Sequence, residues 1–277
     1  MAIALALGSS LVWGCADFLG GIFSRRQPLA AVVVVSQAAG FAALALWLAT
    51  TGFALDGRAL GFGLVAGIGG GGGLALFYRA LSVGTMSIVS PIAACGALVP
   101  FALALATGDR PAALVLLGAL VALMGAIIAS AEEHRADEPG RRQAALLAAA
   151  AAGMLGLFIY FVGVAGQDGA TLSALFGARI GSLAVLAGWV VATRAPLRLD
   201  RGALPIVAAI GLLDTGANGL FVLASARGYL SIVSVLGSLY PIATILAAYL
   251  FLHERISRTQ RAGVALTLVG VAIVASG

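Results

Sequence analysis

Ten apolar stretches, each about the length of a membrane-crossing helix, leave this chain few ways to fold. A helix needs about 20 predominantly apolar residues to cross a hydrocarbon layer of about 30 Å. Charges and turn residues divide the 277 residues into such runs at approximately 2–23, 29–50, 59–81, 85–107, 111–131, 143–164, 171–193, 203–226, 230–252 and 260–276. The runs are continuous and lack the period-two alternation of a membrane barrel. Backbone groups in lipid must be bonded within their own segment, so the runs predict helices.

Composition agrees. Hydrophobic residues make up 61% and charged residues 10%, against about 45–50% and about 25% in soluble domains. The net charge of +5 comes from sixteen arginines and eleven acidic residues. No basic run exceeds two residues, so nucleic acid is not an expected partner. Cys15 and Cys95 form no disulfide or metal framework and read as small buried apolar residues. Leu11 to Cys15 faintly resembles a lipoprotein cleavage box. No positive region precedes it, so the segment reads as a retained span.

The longest connection, Glu132 to Arg142, splits the chain into 1–131, a hydrophilic loop at 132–142, and 143–277. The two flanking segments carry five runs each. Ser87-Ile88-Val89-Ser90 recurs 144 residues later as Ser231-Ile232-Val233-Ser234. Each copy opens a proline-containing run that closes on an acidic-Arg pair, Asp109-Arg110 and Glu254-Arg255. Gly118 to Gly125 and Gly263 to Gly270 then follow at matching places. Two copies of an odd number of spans must enter the membrane from opposite sides, which is an inverted repeat of the kind used for alternating access.

Arginine bias orients the chain. The loops on the face reached after the first run hold twelve arginines, including Arg25, Arg26, Arg141, Arg142 and Arg194. The other face holds three, Arg58, Arg110 and Arg227. The positive-inside rule therefore places the central loop in the cytoplasm and the termini outside.

Several motifs are familiar in combination. Leu11 to Gly21 followed by Ser24-Arg25-Arg26 resembles the first helix of EamA-type members of the drug/metabolite transporter superfamily. Tyr240-Pro241 through His253-Glu254-Arg255-Ile256-Ser257, with Gly263 and Gly270, is similar to the end of an EamA repeat. So is Ser90-Pro91 through Pro100 and Gly108-Asp109-Arg110-Pro111, with Asp in place of the usual Glu. The resemblance spans nearly the whole chain. It implies an all-α integral membrane protein, with ten transmembrane helices as two inverted five-helix repeats around a central cavity. It also implies transport of a small metabolite across the plasma membrane, often outward. Relatives of this kind have cytoplasmic termini, whereas the arginine count argues the reverse.

Ionisable groups inside spans cost roughly 2.5–3.5 kcal/mol each on insertion scales, so each needs a reason. Asp17 and Arg79 approach the same face and are expected to pair. Arg179 and Asp214 lie near the midplane and are expected to pair there. These pairs either hold helices together or bind an amine or proton on the carboxylates and a carboxylate on Arg179. Asn218 follows Asp214 by four residues and shares its helix face. The segment 214–218 matches 70–74 by the 144-residue shift, next to Gly69 to Gly73. Such matched interruptions point to a transporter's binding site, and close helix packing through small residues is the alternative. Trp13 shares a face with Asp17 and could hold a cation or an aromatic group. Tyr78, Tyr160 and Tyr240 are further polar aromatics within or late in spans. Pro241 frees the Gly237 carbonyl, and Pro91 and Pro100 free those of Ser87 and Gly96. Arg79, Glu254 and Arg255 are assigned to a structural ion pair or gate.

The expected function is a secondary transporter of a small metabolite, an amino acid or related zwitterion or cation, working by alternating access. Channel-like facilitation is the alternative. An intramembrane enzyme is less favoured, because His134 and His253 lie in loops and no catalytic motif appears. No cofactor or metal is expected. The expected partners are membrane lipid, the small-molecule substrate and protons, with the protein a monomer or homodimer.

Overall fold

The structure is a computed structural model that describes residues 1–51, 54–83, 89, 92–93, 95–130, 141–166, 170–252 and 257–276. Among these residues all regular structure is helical. The helices are α1 (Ala2–Ser24), α2 (Leu29–Thr51), α3 (Gly57–Val83), α4 (Leu98–Thr107), α5 (Ala113–Ser130), α6 (Arg141–Gly166), α7 (Thr171–Thr193), α8 (Leu204–Ser225), α9 (Leu230–Gly237), α10 (Tyr240–Leu252) and α11 (Arg258–Ser276). A 3-10 turn at Cys95–Ala97 leads into α4. Eight segments are long and apolar enough to cross a membrane, with α9 and α10 counted as one. The segments Cys95–Thr107 and Ala113–Ala129 are shorter apolar helices. This is a multi-pass membrane protein. Large apolar side chains such as Leu46, Trp47, Leu117, Val191 and Phe251 point outward, as lipid permits and water would not.

The ninth apolar run breaks where its proline predicts. α9 ends at Gly237, and α10 begins at Tyr240, one residue before Pro241. Pro100 sits in the first turn of α4, where its missing N–H costs little. The Gly96 carbonyl that Pro100 leaves free lies against Gly156 of α6, where a Cβ would come within 2.6 Å of the oxygen.

Helix pairing follows small residues. α3 packs along α6 and α7, and α1 along α8, α9 and α10. α2 packs on α7 and α8, α4 on α6 and α9, and α5 on α11. The α5–α11 contact is reciprocal. A Cβ on Gly125 would lie 2.7 Å from the Gly263 oxygen, and one on Gly118 would lie 2.9 Å from the Gly270 oxygen. Apolar lipid gives helices no hydrophobic reason to associate, so this close backbone approach supplies the contact energy.

The glycine run of α3 does not interrupt its helix, and neither does the 214–218 segment of α8. The expectation of matched disturbed segments is corrected here. Gly69 and Gly70 lie under Phe158, Gly71 under the Ser182 backbone, and Gly73 under Leu155. These glycines let α6 and α7 approach, which is the packing alternative. Cys15 is also corrected, since it faces outward and is not buried. Cys95 is half-buried, and neither cysteine forms a disulfide among the described residues. The central loop at 131–140, Glu254, Arg255 and the Ser87–Ile88 and Ser90–Pro91 pairs lie outside the described residues.

Candidate functional site

Asp214 projects from the middle of α8 and gathers partners from three other helices. Arg179 of α7 donates from Nη2 to Asp214 Oδ2 at 2.7 Å. Arg179 also donates to Gln37 Oε1 on α2, and Gln37 Nε2 donates to Asp214 Oδ2 at a longer 3.4 Å. Trp13 Nε1 of α1 donates to Asp214 Oδ1 at 3.2 Å. One turn along α8, Asn218 Nδ2 donates to the Asp214 backbone oxygen at 2.6 Å and to Oδ1 at 3.3 Å. The Arg179 side chain is 6% exposed and that of Asp214 27%. A guanidinium so deeply buried needs a counter-charge in contact, and Asp214 supplies it.

The local sequence makes room for this network. Gly40 on α2 faces Thr215 of α8, and a Cβ there would come within 3.3 Å of Arg179 Nε. Gly211 lies against the Ser36 backbone. The small residues bring α2 and α8 together, and Gln37 then reaches both Arg179 and Asp214.

Two cavities adjoin at Asp214. The smaller, about 420 Å³ with its mouth included, is lined by Gln37, Gly70, Phe158, Arg179, Asp214 and Asn218 among others. The larger, about 640 Å³, is lined by Trp13, Asp17, Phe77, Phe158, Asp214 and Tyr240 among others. Leu74, Leu155, Phe158 and Asp214 border both. Sites of this size, mostly apolar with a few polar groups, suit small molecules.

Residues 142–276 match the EamA-like transporter family. The match covers the second half of the chain, and that family lies within the drug/metabolite transporter superfamily. Its members are transporters. No curated protein matches the chain. A solved crystal structure shares the fold over 99% of this chain and 96% of its own, with a TM-score of 0.77 and 19% sequence identity. That likeness carries the fold, and the fold alone, across the first half as well.

Six of the residues singled out from sequence border the two cavities: Trp13, Asp17 and Tyr240 in the larger, Arg179 and Asn218 in the smaller, and Asp214 in both. Of these, Arg179, Asp214 and Asn218 come from α7 and α8 of the EamA-like half. Tyr78 is buried, with its hydroxyl against Gly20 of α1, one turn beyond Asp17. Tyr160 donates to Thr107 Oγ1 at 3.4 Å and ties α6 to the end of α4, away from the cavities. Arg79 is exposed, and among the described residues no ion pair joins it to Asp17. The expected Asp17–Arg79 pair is therefore corrected. Both residues approach the same membrane face, but Asp17 borders the cavity that Asp214 also lines. Gln37 joins this network without having been singled out from sequence. It is the lone amide in a 23-residue helix whose other polar side chains are hydroxyls.

Proposed function

We propose that this protein is a secondary transporter that moves a small metabolite by alternating access, with Asp214 at the centre of its site. The observation that carries the proposal is the meeting of α1 and α2 from one half with α7 and α8 from the other at a single carboxylate bordering both cavities. A charge at that depth is costly, and transporters place such groups on substrate and ion paths. The reciprocal α5–α11 contact supports two inverted five-helix repeats, because a two-fold related pair touches through the same residues on both copies. Gly118 and Gly263 are matching positions, as are Gly125 and Gly270, and each glycine meets the other's counterpart. The crossing of α1 on α8 has its counterpart in that of α6 on α3, and α1 on α10 in α6 on α4. Ten spans, export and the cytoplasmic central loop belong to the same proposal.

Reconstituted protein tests it by counterflow, which a carrier shows and a channel does not. Asp214→Asn should insert and bind but lose exchange. If Asp214 only neutralises Arg179, the double change Asp214→Asn with Arg179→Gln restores transport, and normal exchange by that variant would dismiss the assignment. For orientation, a single cysteine at Thr193, with the native cysteines replaced, should resist labelling from outside intact cells. Strong labelling there would reverse the topology.

A further inference from the structure

The polar atoms around the two cavities divide into those already engaged and those left open. The Arg179 charge is neutralised by Asp214 at 2.7 Å, and a second N–H goes to Gln37. Trp13 Nε1, Gln37 Nε2 and Asn218 Nδ2 all point at Asp214. The side-chain donors that could hold a carboxylate are thus directed at the protein's own carboxylate.

The open atoms are mainly acceptors. Asp17 borders the larger cavity, and its carboxylate accepts no hydrogen bond among the described residues. Asn218 is 3% exposed and borders the smaller cavity, and its Oδ1 has no partner among the described residues. The orientation of its amide is set at the other end, because a flip would place Oδ1 against the Asp214 backbone oxygen. A buried acceptor left unpaired is costly, so a donor is expected to visit it. The hydroxyls of Ser238 and Tyr240, also on the larger cavity, can donate or accept. Two acidic side chains face one guanidinium, so Asp17 is left to meet an arriving cation. Trp13, Phe77, Phe158 and Tyr240 supply aromatic wall.

We propose that the cargo is a primary ammonium ion on a compact aryl or apolar body. Its ammonium is held by Asp17 in one cavity and by Asn218 Oδ1 in the other, and its body lies against Phe77 and Phe158. The proposal rests on the transporter assignment and narrows its substrate class. A zwitterion would bring a carboxylate to a site whose one guanidinium is already paired. Aromatic faces attract the cation further, and the N–H donors of a primary amine suit the open acceptors where a quaternary one does not.

The test uses the full chain in lipid nanodiscs with Trp47→Phe and Trp189→Phe, so that Trp13 is the sole indole. The probes are phenethylammonium, its trimethyl analogue, 3-phenylpropanoate and phenylalanine. Phenethylammonium should shift Trp13 emission saturably. The trimethyl analogue should bind about tenfold more weakly, since it lacks N–H donors to a charged acceptor. Asp17→Asn should lower the affinity for phenethylammonium by about tenfold or more. If that variant does not fold, the four probes on the unmodified site decide. Tighter binding of 3-phenylpropanoate or phenylalanine, no binding of phenethylammonium, or unchanged binding by a folded Asp17→Asn each overturns the proposal. Counterflow in proteoliposomes separates the two levels. Phenethylammonium that binds without exchanging keeps this site and removes the transport assignment. Exchange of phenylalanine or 3-phenylpropanoate that ignores Asp17 keeps transport and removes the cation.

Discussion

The α5–α11 contact and the meeting of α2 with α7 and α8 both bring helices close through glycine, yet they are built from different chemistry. From Gly118 to Gly125 and from Gly263 to Gly270 there is no charged residue. Thr267 is the polar exception, donating to the Gly263 oxygen at 3.0 Å and the Ala122 oxygen at 3.3 Å. Around Gly40 and Gly211, by contrast, Arg179, Asp214 and Gln37 bond across three helices. Dispersion between backbones has one optimum and decays with any slide. Hydrogen bonds at a charged centre can be exchanged for bonds to a ligand or water. The first contact suits a fixed hinge between the halves, and the second a surface that rearranges.

The sharpest way to break this comparison is Gly125→Val. The new side chain would meet the Gly263 oxygen and the Thr267 backbone, which cannot move aside as a rotamer can. A loss of about 3 kcal/mol or more is expected from overpacking, visible as a collapse in the yield of monodisperse protein. Normal yield and thermal stability would remove the fixed-hinge assignment. Next in size is Asp214→Asn, which strands the buried Arg179 charge. With the Asp214 side chain 27% exposed, the penalty falls below that of a fully buried pair, to about 2 kcal/mol. The melting temperature should drop and largely recover with Arg179→Gln, and a single variant as stable as the parent would show the pair to be dispensable. A smaller effect, about 1 kcal/mol, is expected from Trp13→Phe, which keeps the ring and loses the bond to Asp214. Exchange rates should change more than the melting temperature, and the opposite pattern would make Trp13 a packing residue. Smallest is Thr267→Val, about 0.6 kcal/mol, with transport unaffected. A transport defect there would mean that the α5–α11 contact also rearranges.

These expectations draw unequally on sequence. Depth along a helix is readable, because position in an apolar run maps onto distance across the bilayer. Arg179 and Asp214 share a depth in their runs, and they meet at 2.7 Å. Asn218 was readable from helical spacing. Depth does not say which way a side chain faces or which helices are neighbours. Asp17 and Arg79 share a membrane face, yet only Asp17 borders the cavity. The polyglycine run of α3 looked like a broken segment, although its missing side chains serve the contacts with Met154, Leu155, Phe158 and Ser182.

The amino-acid order already makes the chain helical and membrane-embedded, because each apolar run must satisfy its own backbone in lipid. It also shows which charges lie deep and where the ninth run bends, since Pro241 has no N–H to donate and its ring crowds the preceding turn. Helix packing alone reveals that Gln37 completes the Arg179–Asp214 pair, that Trp13 reaches Asp214 across 201 residues, and that Asp17 borders the larger cavity with no hydrogen bond among the described residues. Those outcomes depend on the rotation of each helix about its own axis and on the choice of neighbours. In a chain apolar on nearly every face, hydrophobic periodicity fixes neither, and the close fit of glycine against backbone does.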